Sequence, residues 1–189
     1  MISMYESGYN KLFWGMIFVI FNINSGAINY LPDFIGYILI ISGLNILLNQ
    51  HDIYKKAIIP TAILIILTLK DIANLGSLYT NNGQFEIENF WIYAVGAIET
   101  ILDLYVIYTI CKGIYLLSEQ RDITELKNSA KERFIFYLVM QVIYLFYVPF
   151  SINLKRGMNT FMVLAAVINA FAALLIAGLF RKSRILLRE

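Results

Sequence analysis

Four ionisable side chains stand inside two consecutive apolar stretches of this chain: Lys70 and Asp71 in one, Glu99 and Asp103 in the next. A charge near the centre of a membrane-crossing helix costs ~2.5–3.5 kcal/mol on insertion scales, so such residues face a bundle interior or water. Glu99 and Asp103 are four apart, hence on one helix face, and Gly96 continues that face. Two carboxylates that close do not both ionise cheaply in a poorly hydrated site; one holds a proton, or a cation such as Lys70 sits between them. One positive and three negative groups sum to −2, so a proton or a bound cation completes the balance. This points to a proton- or cation-linked site. Two structural alternatives stand beside it. One is an ion-pair network that fastens the two helices. The other is a shorter helix with Lys70 and Asp71 at its outer end, since the apolar run Ala57–Leu69 is only 13 residues long.

Helices must position these groups. Lipid gives the backbone no hydrogen-bond partners, so a span is a helix of ~20 mostly apolar residues. Six stretches are predicted, at 12–30, 31–48, 57–79, 90–117, 134–152 and 158–180, in a single domain covering 1–189. The expected fold is therefore all-α, a polytopic membrane bundle. Composition agrees: 59% of residues are hydrophobic, 15% are charged and the mean hydropathy is +0.68. A soluble domain runs nearer ~45–50% apolar and ~25% charged. With the N-terminus inside, Lys11, Lys55, Lys56, Lys112, Arg121, Lys127, Lys131, Arg133, Arg181, Lys182, Arg184 and Arg188 fall on the inner side. Only Lys155 and Arg156 lie outside, so the positive-inside rule puts both termini in the cytoplasm. At ~1.5 Å per residue, Lys70 and Asp71 sit ~3–5 Å outward of the midplane and Glu99 ~6 Å outward of Asp103, which brings all four to a similar level. No cleavable signal peptide is expected ahead of the first span, because Asn22 and Asn24 follow its apolar run in place of small residues.

The first span is irregular. Its apolar run, Leu12–Phe21, covers about half a membrane, and Asn22, Asn24, Ser25, Gly26 and Asn29 follow. Asn22, Ser25 and Asn29 form one polar stripe if the helix continues. Alternatively Ser25-Gly26 breaks it and exposes backbone groups to a cavity. Asn22 and Asn24 are accordingly either ligand-binding candidates or amides that tie helices together. Pro32 and Asp33 read as the start of the second helix. The stretch 21–44, above all Leu-Pro-Asp-Phe-Ile-Gly-Tyr at 31–37, resembles an N-terminal signature of uncharacterised multi-pass membrane proteins of Gram-positive, Firmicute-type bacteria. That resemblance covers 24 of 189 residues and implies a bacterial plasma-membrane protein, with no activity attached. Acidic residues can stand in that family where this chain has Asn22 and Asn29, a departure that bears on any charge-based role for the first helix.

The last span is rich in small residues. Ala166/Ala170 and Ala173/Ala177 have the spacing that allows close backbone approach, either within the bundle or at a seam with a partner subunit or a second copy. The segment 118–133 balances four acids against four bases and reads as a short charged helix continuing the fourth span.

Several chemistries have no support. The net charge of +2 argues against nucleic acid as a partner. Cys111 is the only cysteine and His51 the only histidine, so no Cys-based cluster, His-rich zinc spacing or Cys-His protease fits, and no cofactor is expected. P-loop, GxGxxG and GxSxG motifs do not occur. Three classes remain. One is a small transporter or channel-like protein that binds a cation, a proton or a small polar solute. Another is an accessory or substrate-binding membrane subunit, comparable in size, helix number and cytoplasmic ends to those of energy-coupling-factor importers. The third is an intramembrane enzyme using Asp71 with Asp103.

Overall fold

The computed structural model describes residues 4–21, 24–25, 28–29, 33–73, 87–151 and 159–187, with side chains described outside 24–25, 28–29, 70–73, 87–93, 147–151, 159–163 and 166. Among these residues the fold is all-α, with six helices: α1 (Met4–Ile20), α2 (Asp33–Leu47), α3 (Lys55–Ala73), α4 (Ile87–Gln120), α5 (Thr124–Ser151) and α6 (Asn159–Leu186). A single 3-10 turn, Asp52–Tyr54, leads into α3. Each helix packs on its neighbours in sequence and α6 returns to α1, so the six form a closed ring.

Helix boundaries follow local chemistry. Asp33 opens α2 in the first turn, where a carboxylate suits the positive end of the dipole. His51 caps the 3-10 turn, its Nδ1 accepting from the Ile53 N–H at 3.1 Å. That accounts for the chain's one histidine as a structural cap. Between α4 and α5 the backbone reverses at Asp122, whose φ of 54° lies in the left-handed region that aspartate tolerates better than most residues.

Two expectations about the helices are corrected. The first helix does not run from 12 to 30; it starts at Met4 and stops at Ile20. Its early polar residues have partners: Asn10 accepts from Arg184, Glu6 lies near the same guanidinium, and Lys11 donates to Ser42 at 2.8 Å. It ends where Asn and Ser side chains compete for the backbone. There Asn24–Ser25 pairs antiparallel with Ile28–Asn29, so Ser25 and Asn29 belong to a short two-stranded pairing and not to a helical stripe. The charged segment belongs largely to the fifth helix, with Thr124–Arg133 forming its first turns, since the chain turns at Arg121–Asp122 after α4 has ended.

Among the described residues one helical stretch, Ala94–Gln120, is long and apolar enough to cross a membrane; α2 is apolar but has 15 residues. Length and composition therefore support one span and not six.

The tightest seam joins α1 and α2. Gly8 and Gly15 on one helix meet Gly43 and Gly36 on the other, as an antiparallel register requires. A Cβ on Gly15 would lie 2.7 Å from the Gly36 carbonyl oxygen, and one on Gly36 would lie 2.7 Å from that of Gly15. At the Gly8–Gly43 end of this seam, the Tyr54 ring lies so close to Gly113 that a Cβ there would meet it at 2.6 Å. The Tyr54 hydroxyl is 3.1 Å from that of Tyr9, which bonds Gln50, and Gln50 donates to the Leu187 carbonyl at 2.8 Å. Around this network Leu12, Leu44, Leu47, Ile110, Ile114 and Phe180 are fully buried.

Candidate functional site

The other half of the ring holds a cavity of about 470 Å³ to which all six helices contribute. Five of the helices supply two or more residues at helical spacing and α3 supplies one. α1 gives Met16, Val19 and Ile20; α2 gives Asp33 and Tyr37; α3 gives Thr68. From α4 come Gly96, Glu99, Thr100 and Asp103, from α5 Tyr137, Gln141 and Tyr144, and from α6 Asn169, Ala170 and Ala173. These residues belong to the C-terminal halves of α1, α3 and α5 and the N-terminal halves of α2, α4 and α6, so the cavity lies at one end of the ring.

Asp103 stands at the middle of α4 and is 8% exposed. The Tyr137 hydroxyl donates to its Oδ2 at 2.6 Å, and the Tyr37 hydroxyl to its Oδ1 at 3.2 Å. Gln141 Nε2 donates to the Tyr137 hydroxyl at 2.7 Å, which extends the chain of bonds along α5. A buried carboxyl group needs such partners, because an unsatisfied one carries a full desolvation penalty. The threonines turn back on their own helices: Thr68 donates to the Leu64 carbonyl at 2.8 Å and Thr100 to that of Gly96 at 2.9 Å. Asn169 Oδ1 is buried with no hydrogen-bond partner.

Of the residues singled out in the sequence, Glu99 and Asp103 line this one cavity, with Gly96 on the same face. Lys70 and Asp71 lie in the last turn of α3 as described, and their side chains are outside the described residues. So is Asn22, while Asn24 is placed by its backbone pairing with Asn29. On α6, Ala173 and Ala177 are buried, Ala170 lines the cavity and the Ala166 side chain is outside the described set. Small residues on this helix thus serve both the packing and the cavity wall.

Tyr37, Tyr137, Gln141 and Asn169 were not among the sequence candidates. The i, i+4, i+7 spacing of Tyr137, Gln141 and Tyr144 was a readable polar stripe in an apolar helix. Tyr37 and Asn169 carry no such signal, because only the ring arrangement brings them to the same place. Among the described residues no group of three or more His, Cys, Asp or Glu gathers as metal ligands. No protein-family model, curated protein or solved structure matches this chain, so its reading rests on the geometry of this cavity.

Proposed function

We propose that this chain is a bundle of six transmembrane helices in a bacterial plasma membrane, with both ends cytoplasmic, that binds a cation or a proton in its central cavity as a small transporter does. What supports the membrane part is an inverted surface. Ile59 and Ile66 on α3, Phe146 on α5 and Val167 on α6 are 60–72% exposed, while Asp103, Thr61, Thr68 and Gln141 are buried. A water-soluble bundle arranges these classes the other way round, and exposed apolar faces of this extent call for a cover, here the lipid. Exposed charges instead collect at one end, at Lys55, Lys56, Glu119, Arg121, Glu125 and Arg181. Their bases suit the cytoplasmic side.

The observation that carries the functional part is Asp103, a carboxyl group inside the ring, held by two tyrosines against a cavity with two further carboxylates, Asp33 and Glu99. Among the described lining residues the ionisable acids are carboxyl groups, and a carboxyl group in a low-dielectric cavity holds a proton or draws a cation. A second reading, a substrate-binding subunit that needs a partner for movement, is favoured by the packed half of the ring, where Ile107, Ile110, Ile114 and Leu117 are buried beneath Asp103 on α4. One experiment separates the two. Purified protein is reconstituted in liposomes, and uptake of protons and of a panel of cations is followed for the wild type and Asp103→Asn. Flux that falls at least tenfold in Asp103→Asn, with melting within ~2 °C of wild type, supports the transporter. Binding without flux supports the subunit. Loss of melting with neither binding nor flux makes Asp103 a purely structural anchor.

A further inference from the structure

We infer that a cleft between α1 and α6 at the basic end holds the phosphate of an anionic phospholipid from the inner leaflet; this rests on the membrane reading above and is independent of the central cavity. The cleft has a volume of about 280 Å³ and is lined by Asn10, Phe13, Trp14, Arg181 and Arg184. Two of these are arginines and none is an acid. A guanidinium group grips phosphate through paired N–H donors, which is why arginine is preferred for that partner. Arg184 is held in place from α1: it donates to Asn10 Oδ1 at 3.2 Å, and its Nε lies 3.8 Å from Glu6. Glu6 thereby offsets one of the two positive charges. Arg181 is exposed and has no ion pair or hydrogen bond among the described residues. The same holds for the Trp14 indole N–H and the Asn10 amide nitrogen. Nearby lysines differ, since Lys182 is paired with Glu125 and Lys11 donates to Ser42. One net positive charge and three donor groups without partners thus meet in the cleft, which suits a singly charged phosphodiester.

The surface beyond the cleft favours a lipid over free phosphate. On α6, Arg181, Leu174 and Val167 are seven apart, hence on one face, and Leu174 and Val167 are exposed. On α1, Trp14 and Phe21 are likewise seven apart, the Phe21 N–H continuing the helical turn to the Ile17 carbonyl, and both are half exposed. The two helices pack together with Arg184 beside Asn10, and their opposite ends share the central cavity. Both apolar tracks therefore lead from the cleft toward the cavity end. Acyl chains attached to a phosphate have this surface to lie on, whereas a free phosphate makes no use of it. Trp14 stands at the junction, edge-on to Phe13 with ring centroids 5.3 Å apart, and amphipathic rings of this kind favour the headgroup level. Basic pockets between helices on the cytoplasmic side are the usual seats of anionic headgroups.

The test uses the full chain carrying Trp91→Phe, which leaves Trp14 as its one tryptophan. It is reconstituted in vesicles of phosphatidylcholine with phosphatidylglycerol, and brominated acyl chains, which quench tryptophan fluorescence, are placed on one lipid or the other. Brominated phosphatidylglycerol quenches Trp14 more than brominated phosphatidylcholine at equal mole fraction. Arg181→Gln lowers that preference roughly fivefold, the weight of one arginine at an anionic surface. Lys56→Gln, at another exposed base, leaves it unchanged. Equal quenching by the two lipids overturns the inference. So does an equal loss in Lys56→Gln, which would make the preference a property of the whole basic end. Loss of the preference on adding inorganic phosphate at constant ionic strength overturns the lipid and leaves a site for free anions. A chain that enters vesicles of neither composition overturns the membrane reading itself. Native mass spectrometry of the unaltered chain makes the same comparison without Trp91→Phe: phosphatidylglycerol is retained in preference to phosphatidylcholine, and equal retention overturns the inference.

Discussion

The two ends of the ring are built on opposite principles. At the basic end side chains are omitted so that backbones touch, Gly8 against Gly43 with Tyr54 filling the space over Gly113, and the seam continues through Gly15 against Gly36 toward the cavity. At the cavity end polar side chains are present and room is left around them, and among the described residues nothing beyond Gly96's own helix lies within 4 Å of where its Cβ would be. Glycine therefore has two meanings in one bundle. In the seam it permits close approach, where dispersion contacts between backbones accumulate. In the cavity it is empty space next to Glu99 and Asp103. The contrast assigns stability to the α1–α2 seam and ligand chemistry to the cavity.

The largest expected effect is a substitution in the seam. Gly36→Ala puts a Cβ 2.6 Å from Val19 Cγ2 and 2.7 Å from the Gly15 carbonyl oxygen, both closer than a methyl group can sit. Backbone must move, and overpacking of this kind costs about 1–3 kcal/mol. Thermal or denaturant melting in detergent reads it, with Gly15→Ala expected to behave alike and the double variant to cost less than the sum, since the two share one contact. Melting unchanged in both would mean that α1 and α2 are not held by this seam.

A smaller effect of opposite sign is expected at Gly96. Alanine there meets none of the described residues, and replacing glycine inside a helix gains roughly 0.5–1 kcal/mol. Gly96→Ala should raise the melting temperature while narrowing the cavity, so a stabilised protein with weakened cation binding is the combined signature. A destabilised Gly96→Ala would erase the distinction between the two ends.

These glycines also mark what the sequence disclosed. The existence and order of six helices were legible, because long apolar runs separated by charged or polar segments have few other solutions. Gly96, Glu99 and Asp103 were legible as one face from spacing alone. The partners of Asp103 were not: Tyr37 and Tyr137 lie 66 and 34 residues away, and only the packing of α2 and α5 decides that they meet it. Helices apolar on every side give no periodicity from which an inward face could be chosen. The seam was half legible, since the seven-residue spacing of Gly8 with Gly15 and of Gly36 with Gly43 is plain once both helices are placed. Small residues are more numerous on α6, but there Ala170 lines the cavity. The first helix was misplaced because a polar stripe at i, i+3 and i+7 was read as helical, when the same Asn and Ser residues favour turns and strand pairing.

The smallest expected effect tests whether charge, in place of close packing, holds the basic end. Lys182 donates to Glu125, joining the end of α6 to the start of α5, and the Glu125 side chain is 80% exposed. The hydrogen bond and the charge of Lys182 hold the Glu125 carboxyl below its ordinary value of 4.5. A carboxyl held lower in the folded chain than in the unfolded one contributes stability above that ordinary value. The contribution is lost as pH falls through the lowered folded value. Glu125→Gln should therefore melt with the wild type below that window and differ from it only slightly at neutral pH, because solvent and salt screen an exposed pair. Raising the salt concentration at neutral pH should remove even that difference. A loss in Glu125→Gln as large as that in Gly43→Ala, where a Cβ would lie 2.8 Å from the Gly8 carbonyl oxygen, would move the weight of this end from packed glycine to paired charge. Both variants, melted side by side at neutral pH and in acid, decide between the two.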